Sequence, residues 1–241
     1  MKPKSSLQFL VSVAVLFLNT ASAKGELDDP QASAALGILA AKSELEHNHR
    51  FCRARAGDYG YKYDYIRYLW ELKNRPYIQL SEKIFDGLPA SSSSDMKQRW
   101  KRSSDELLSA RSRANDNENG RYCSQYFSQM ITESTPNVSD SRATLAARLG
   151  SAEEVRIIER NTGLEVGCVK AGYNGDVKQF EGMRKACECQ TTLIVRTLSD
   201  REVDDYLALV AENKPQDALA FLGERIAVPE LRSCYSEVQL Q

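Results

Sequence analysis

The sequence predicts an all-α protein, a helical bundle or two related helical units, built from short to medium helices stapled by disulfides. Apolar residues recur at helical spacing along most of the chain. No stretch shows the sustained alternation and regular turns of an all-β protein. The chain also contains six cysteines, and an even number favours disulfides in an exported protein.

The N-terminus, residues 1–23, has the organisation of a cleavable signal peptide. A positively charged start precedes an apolar run from Leu7 to Leu18, and a small-x-small cleavage site ends at Ala23. This run is about a dozen residues long, whereas a membrane span needs about 20. We therefore expect cleavage after Ala23, export to the periplasm of a bacterium or to the extracellular space, and no transmembrane segment in the mature chain.

The composition is that of an ordinary globular protein, with 42% hydrophobic and 27% charged residues. The formal net charge is −1, and removal of the signal with its two lysines lowers it to −3. Non-specific nucleic-acid binding requires a strongly basic surface, so we expect no nucleic-acid partner. The sequence contains no glycine-rich phosphate loop, His-Glu-x-x-His helix or Gly-x-Ser-x-Gly elbow. We therefore predict no catalytic residue, metal site or cofactor.

The first helix should begin at Asp29, whose carboxylate can cap it, with Pro30 at the first helical position. A second helix is predicted over residues 61–73. It should break or kink near Asn74, because Pro76 lacks the amide donor that a helix interior needs. A shorter helix over residues 77–85 should follow.

The middle of the chain alternates loops and helices. Residues 87–94 contain Gly87, Pro89 and a run of four serines, and they should form a loop before a helix that reaches about residue 114. The polar stretch 115–120 should end that helix, and a helix over residues 121–133 should follow. Residues 135–150 look the least ordered and are predicted to be a linker.

Capping patterns mark two helix starts in the C-terminal part. Ser151 with Glu154, and Ser199 with Glu202, each fit a capping box. The other predicted boundaries are a helix over 151–160, a stop at 161–163, a short helix through Cys168, a turn at 172–175, a helix over 177–198, and final helices opened by Pro215 and Pro229.

The expected domain organisation is an N-terminal helical unit over residues 24–134, the linker, and a C-terminal helical unit over residues 151–241. The two units show a similarity that supports an internal repeat. Residues 64–66 read Asp-Tyr-Ile and residues 205–207 read Asp-Tyr-Leu, and each segment lies between two cysteine-bearing helices. The alternative is a chance similarity between amphipathic helices that end in Asn and Pro.

All of the cysteines follow the signal, at Cys52, Cys123, Cys168, Cys187, Cys189 and Cys234. Six cysteines can pair in many ways, and sequence alone does not choose among them. Because Cys187 and Cys189 are two apart on one predicted helix, they face opposite sides. This favours Cys168–Cys187 across a helical hairpin, Cys189–Cys234, and then Cys52–Cys123. Metal-binding and redox-active alternatives are weaker, because Cys-x-Cys lacks the usual two-residue spacer.

The most unusual local composition is a tyrosine-rich stretch. Its candidate binding residues are Tyr61, Tyr63, Tyr65, Tyr68 and Trp70. Tyrosine suits binding surfaces because it pairs an apolar ring with a polar tip. The alternative is that one stripe fills the core while the other tyrosines lie at its edge. Since the tyrosines also alternate from residue 59 to residue 65, one short strand is the competing structure.

A modest basic patch surrounds Trp100, with Arg99 and Arg102 as candidate binding residues. Such a patch could bind an anionic lipid or glycan, although a solvated helix face is the commoner explanation. The histidines, His47 and His49, lie two residues apart and cannot both ligate one metal from a regular helix. The sequence favours a solvated face for Glu46, His49 and Arg50.

The leading hypothesis for function is an exported binding protein that acts on another exported or envelope protein, as an adaptor, inhibitor or assembly factor. It depends on the predicted export, the disulfides and the lack of a catalytic motif. One alternative is a carboxylate-based hydrolase of cell-wall or other polysaccharide, because paired acids need no short motif. Another is a structural component of the envelope.

Overall fold

The computed structural model describes residues 29–57, 60–112, 114–131, 136–172, 177–212 and 214–236. These residues form ten α-helices and no strand, which confirms the all-α fold class. The helices are α1 (Pro30–Arg53), α2 (Tyr61–Asp86), α3 (Ala90–Ser112), α4 (Asp116–Ile131), α5 (Ser139–Leu149), α6 (Ala152–Gly172), α7 (Val177–Thr197), α8 (Asp200–Ala211), α9 (Pro215–Arg225) and α10 (Val228–Ser233). The predicted signal peptide, residues 1–23, lies outside the described residues.

Side-chain caps begin several helices where the sequence predicts them. Asp29 accepts a hydrogen bond from the backbone N–H of Gln31 at 2.9 Å, and Pro30 opens α1. Ser199 and Glu202 form a reciprocal capping box at the start of α8. Such caps satisfy backbone N–H groups that have no partner within the helix, so these boundaries are encoded locally.

Helix α2 corrects the prediction of two separate helices over residues 61–73 and 77–85, because it continues from Tyr61 to Asp86 with Pro76 inside it. Trp70 lies buried before the proline, and Tyr77 lies buried after it. Both side chains pack in the same core, and this burial holds the helix together where one backbone hydrogen bond is missing. The alternative of a short strand is wrong for residues 61–65, which form the start of α2. Tyr59 lies outside the described residues.

Three other boundaries differ from the prediction. Helix α3 begins at Ala90, so the serine run belongs to the helix and not to the loop before it. Helix α4 begins at Asp116, within the polar stretch 115–120 that was expected to end the preceding helix. Asn115 caps this helix, because its side chain accepts a hydrogen bond from the N–H of Glu118 at 2.9 Å. Helix α6 runs without a stop through residues 161–163, and the burial of Leu164 anchors this part of it.

The helices gather around two hydrophobic cores. The first core unites α1, α2 and α4, with Ile38, Tyr77 and Phe127 among its buried side chains. The second unites α6 to α10 around Ile194 and Leu222, among others. Helix α6 also packs against α2, so the two cores meet. The division into units at residues 24–134 and 151–241, and the repeat that would relate them, stay predictions.

The segment 135–150, predicted as a linker, instead contains α5. Leu145 of this helix is fully buried, and Val138 just before it is 8% exposed. Both side chains belong to the first core, where α5 packs against α1 and α2. Leu149 also packs against this core, so Val138, Leu145 and Leu149 form an apolar face at helical spacing that fixes the segment as a helix.

The three disulfides are Cys52–Cys123, Cys168–Cys187 and Cys189–Cys234. This confirms the predicted connectivity. Cys187 and Cys189 of α7 point in different directions. Cys187 bonds to Cys168 of α6, whereas Cys189 bonds to Cys234, which directly follows the last residue of α10. No bridge joins the first core to the second. None of the described helices combines the length and the apolar character that crossing a membrane requires.

Candidate binding groove

A groove with a volume of about 720 Å³ lies between α1 and α3. Its lining combines four cationic side chains, two aromatic rings and one carboxylate. The lining residues are Ser43, His47, Arg50 and Phe51 from α1, Ala54 and Arg55 from the turn that follows it, and Lys97, Trp100, Lys101 and Asp105 from α3.

The cations of the groove are Arg50, Arg55, Lys97 and Lys101. None of them forms an ion pair with a residue that the structure describes. With Asp105 as the one acid of the lining, the groove has a positive local charge although the whole chain has a net charge of −1. Close like charges repel one another, so an anion in the groove would relieve this repulsion.

The aromatic lining is held in place by packing. The ring of Trp100 stacks on the ring of Phe85, with 5.6 Å between centroids and 24° between planes, and Phe85 is buried. The ring of Phe51 meets Tyr122 edge to face at 6.5 Å. The guanidinium of Arg55 lies over Phe51, 3.8 Å from the ring centroid, and donates a hydrogen bond to the Phe51 carbonyl. The groove therefore presents the Trp100 ring and the Arg55 guanidinium in ordered positions, while the buried Phe51 ring supports the guanidinium.

His47 lies in this lining and is only 7% exposed. Its Nε2 atom is buried and has no hydrogen-bond partner in the described structure. Burial lowers the pKa of His47, and the charge of Arg50 lowers it further, while Asp105 acts in the opposite direction. A buried polar atom without a partner is uncommon, and it marks this part of the groove as polar and incompletely satisfied.

The prediction of a solvated face holds for Arg50, which is exposed, but not for His49. His49 is 8% exposed, and its Nε2 lies 2.5 Å from a carboxylate oxygen of Asp64. The other oxygen of Asp64 accepts a hydrogen bond from Arg53. Burial lowers the pKa of His49, and the hydrogen bond to the Asp64 carboxylate acts in the opposite direction. This histidine joins α1 to α2 and does not line the groove.

The tyrosine-rich stretch lies away from the groove. Trp70 is buried in the first core, and Tyr63 packs on Phe127 with 4.4 Å between ring centroids. The rings of Tyr65 and Tyr68 each form a T-shaped contact with the ring of Phe180 of α7. The structure therefore uses these four side chains in contacts within the chain.

Tyr61, the first residue of the tyrosine-rich stretch in α2, is half-buried. The hydroxyl of Tyr68 donates a hydrogen bond to Glu165 at 3.2 Å. Burial, together with the charge of Glu165, raises the pKa of Tyr68 to about 12, so Tyr68 remains a hydrogen-bond donor at physiological pH.

Of the basic patch predicted on α3, the structure brings Trp100 into the groove. Arg99 pairs with Asp95 at 2.7 Å, and Arg102 is exposed outside the lining. The cations of α3 that line the groove are Lys97 and Lys101, and not the predicted Arg99 and Arg102. The sequence did not indicate that residues of α1 belong to this binding site, because it does not show that α1 and α3 are neighbours.

A second depression, of about 500 Å³, lies at the start of α4 and is lined by residues 115–118 and Arg121. Asn115 and Glu118 already bond to each other's backbone there, so the depression is the outside of a helix cap. Among the described residues, no group of three or more His, Cys, Asp or Glu side chains could hold a metal ion. Comparisons of this chain with protein-family models, curated proteins and solved structures gave no match.

Proposed function

We propose that this chain is an exported binding protein that holds a segment of another exported or envelope protein in the groove between α1 and α3. An adaptor, an inhibitor or an assembly factor would act in this way. The observation that carries the proposal is the groove itself, which has four cations that form no ion pair with any described residue, beside ordered aromatic rings.

Export is supported by the cysteines and by the start of the sequence. All six cysteines are paired, and disulfides persist mainly in oxidising compartments. Residues 1–23 have the charge, apolar run and small residues of a signal peptide. N-terminal sequencing of the exported protein should therefore begin at Lys24. An intact Met1 on the product outside the cytoplasm would contradict processing.

A protein partner suits the chemistry of the lining. Protein–protein interfaces are enriched in aromatic residues and arginine, and residues such as Trp and Arg often carry most of the binding energy. The rings of Trp100 and Phe51 are fixed by neighbours, so binding costs little side-chain entropy.

The rival hydrolase has weaker support. Glycoside hydrolysis by paired acids needs two carboxyl groups about 5–10 Å apart on either side of the scissile bond. The lining of the groove contains one, Asp105. The third hypothesis, a structural envelope component, has no particular observation in its favour.

Site-specific cross-linking tests the proposal. A photoreactive amino acid replaces Lys101 in the groove or, as a control, Glu224, which is exposed on α9. In cells that naturally make the protein, illumination should join the chain to one discrete exported protein from position 101 and not from position 224. Equal cross-linking from both positions, or none to any protein from position 101, would contradict a protein-binding groove.

A further inference from the structure

We infer that the occupant of the groove is an acidic segment of the partner, with carboxylates that meet Arg50, Arg55, Lys97 and Lys101, and with a bulky apolar side chain that packs on Trp100. This inference rests on the proposed function and names the chemistry of the partner. It also assigns a role to each group of side chains in the lining.

The charge of the lining selects an anion. Four cations face one acid, Asp105, and among the described residues no carboxylate forms an ion pair with any of these cations. A cleft lined by one sign of charge concentrates ligands of the opposite sign and speeds their association. The groove is therefore complementary to several closely spaced carboxylates.

The charge of the whole chain favours a short segment over an extended polyanion. The net charge is −1, and it becomes −3 without the signal. A membrane surface, a nucleic acid or an anionic polysaccharide carries negative charge far beyond the groove, and it would meet the acidic remainder of this protein. A peptide segment meets only the local cations, within roughly one Debye length of about 8–10 Å.

The side chain of Arg55 is held in a position that suits binding of a carboxylate. Its guanidinium carbon lies 3.8 Å from the centroid of the Phe51 ring, and one of its terminal nitrogens donates a hydrogen bond to the Phe51 carbonyl. These contacts fix the plane of the guanidinium. A guanidinium in a fixed plane can bind a carboxylate through two hydrogen bonds without a further loss of side-chain freedom.

Trp100 supplies the apolar contact. Its ring is half-buried, and Phe85 supports it from the protein side. Binding sites commonly combine one such anchor with a charged rim, because the anchor gives affinity and the charges give orientation. His47 lies in the same lining with an unpaired buried nitrogen, so a polar group of the segment can also be accommodated.

Peptide binding to the purified, oxidised mature chain tests this inference. The probes are fluorescein-labelled peptides with the sequences Glu-Glu-Phe-Glu-Glu, Glu-Glu-Ala-Glu-Glu and Lys-Lys-Phe-Lys-Lys, followed by fluorescence anisotropy. The first peptide should bind, the alanine peptide should bind about ten-fold more weakly, and the lysine peptide should not bind. Raising the salt concentration from about 0.05 M to about 0.5 M should weaken binding at least about ten-fold.

A charge-matched pair of variants locates the site. Lys97→Glu/Lys101→Glu reverses two charges in the groove, while Lys170→Glu/Arg196→Glu makes the same change at exposed positions of α6 and α7. The first variant should lose at least about ten-fold in affinity, and the second should stay within about two-fold of the unchanged protein. Circular dichroism checks that both fold, and Trp100→Phe should retain more affinity than Trp100→Ala.

Equal affinity of the two charge variants, or equal binding of the glutamate and lysine peptides, would overturn the inference. The proposed function can fail separately. If position 101 cross-links to a protein but no acidic peptide binds, the protein-binding function stands and the acidic ligand is wrong. If the acidic peptide binds in the groove but no protein cross-links there, the ligand chemistry stands and the protein partner is wrong.

Discussion

Arg75 of α2 donates two hydrogen bonds to the carboxylate of Glu165 on α6, with nitrogen–oxygen distances of 3.2 and 3.3 Å. Tyr68 donates a third at 3.2 Å. Glu165 is only 6% exposed, and a carboxylate this buried requires such partners. Because Arg75 lies on a helix of the first core and Glu165 on a helix of the second, this group of three side chains attaches the two cores to each other.

We predict that Glu165→Gln lowers the free energy of unfolding by about 1–3 kcal/mol. Glutamine keeps the shape of the side chain but replaces one acceptor oxygen with an amide that repels the guanidinium of Arg75. The loss should stay moderate because the Arg75 side chain is 39% exposed and can turn to water. Urea unfolding at neutral pH measures the change.

Glu153→Gln is the matched control for this prediction. Glu153 pairs with Arg156 at 2.8 Å, but both side chains are largely exposed. Exposed ion pairs contribute little, because water and salt already screen them, so this variant should unfold at the same urea concentration as the unchanged protein. An equal loss for both variants would contradict a special role for Glu165.

Pro76 gives a second prediction. It lies inside α2, where it leaves the carbonyl of Leu72 without its helical donor. Pro76→Ala should therefore raise the free energy of unfolding by about 1–3 kcal/mol, measured by urea unfolding. Pro30→Ala is the control, because Pro30 occupies the first turn of α1, where no donor is lost. If Pro76→Ala destabilises the chain, the packing of Tyr77 depends on a bend that proline creates.

These helices show which features a sequence can predict. Ser199 and Glu202 bond within one turn, so the start of α8 follows from four neighbouring residues. The pairing of Cys168 with Cys187 follows from a hairpin and from the opposite directions of Cys187 and Cys189. These features are local, and the prediction was right for them.

The features that were missed depend on contacts between distant parts of the chain. Leu145 is buried because α5 meets α1 and α2, and the apolar residues of this short segment do not by themselves show which helices it contacts. In the same way, His47 and Arg50 form a site with Lys97 only because α1 lies beside α3. Such tertiary contacts decided both the continuity of α2 and the position of the candidate site.

His47 should make the stability of the chain depend on pH. Burial and the charge of Arg50 lower the pKa of His47 from its ordinary value of 6.5, so the unfolded chain binds this proton more readily than the folded chain. The stabilisation from neutral His47 is present above about pH 6.5 and is lost as the pH falls toward the pKa of the folded state.

The variant His47→Gln isolates this contribution. Glutamine does not titrate, so the free energy of unfolding should decrease less between about pH 7 and pH 5.5 than it does in the unchanged protein. Urea unfolding at a series of pH values measures the two slopes. Identical slopes would show that His47 has the same pKa in the folded and the unfolded chain.

Removal of single disulfides should have unequal effects. Cys52–Cys123 joins residues 71 apart in the sequence, whereas Cys168–Cys187 joins residues 19 apart. A bridge stabilises mainly by restricting the unfolded chain, and the chain-entropy estimate is about 4 kcal/mol for the longer loop and about 3 kcal/mol for the shorter one. Cys52 and Cys123 are also both buried, while Cys168 is half-buried.

The variants Cys52→Ala/Cys123→Ala and Cys168→Ala/Cys187→Ala test this order by urea unfolding without reductant. The first variant should lose more free energy of unfolding, because it opens the longer loop and removes two buried sulfur atoms from the first core. Peptide mapping of the unchanged, non-reduced protein must first find Cys52 joined to Cys123. A peptide that joins Cys52 to a cysteine of the second core would contradict the structure, and the opposite order of stability would show that loop length does not dominate these bridges.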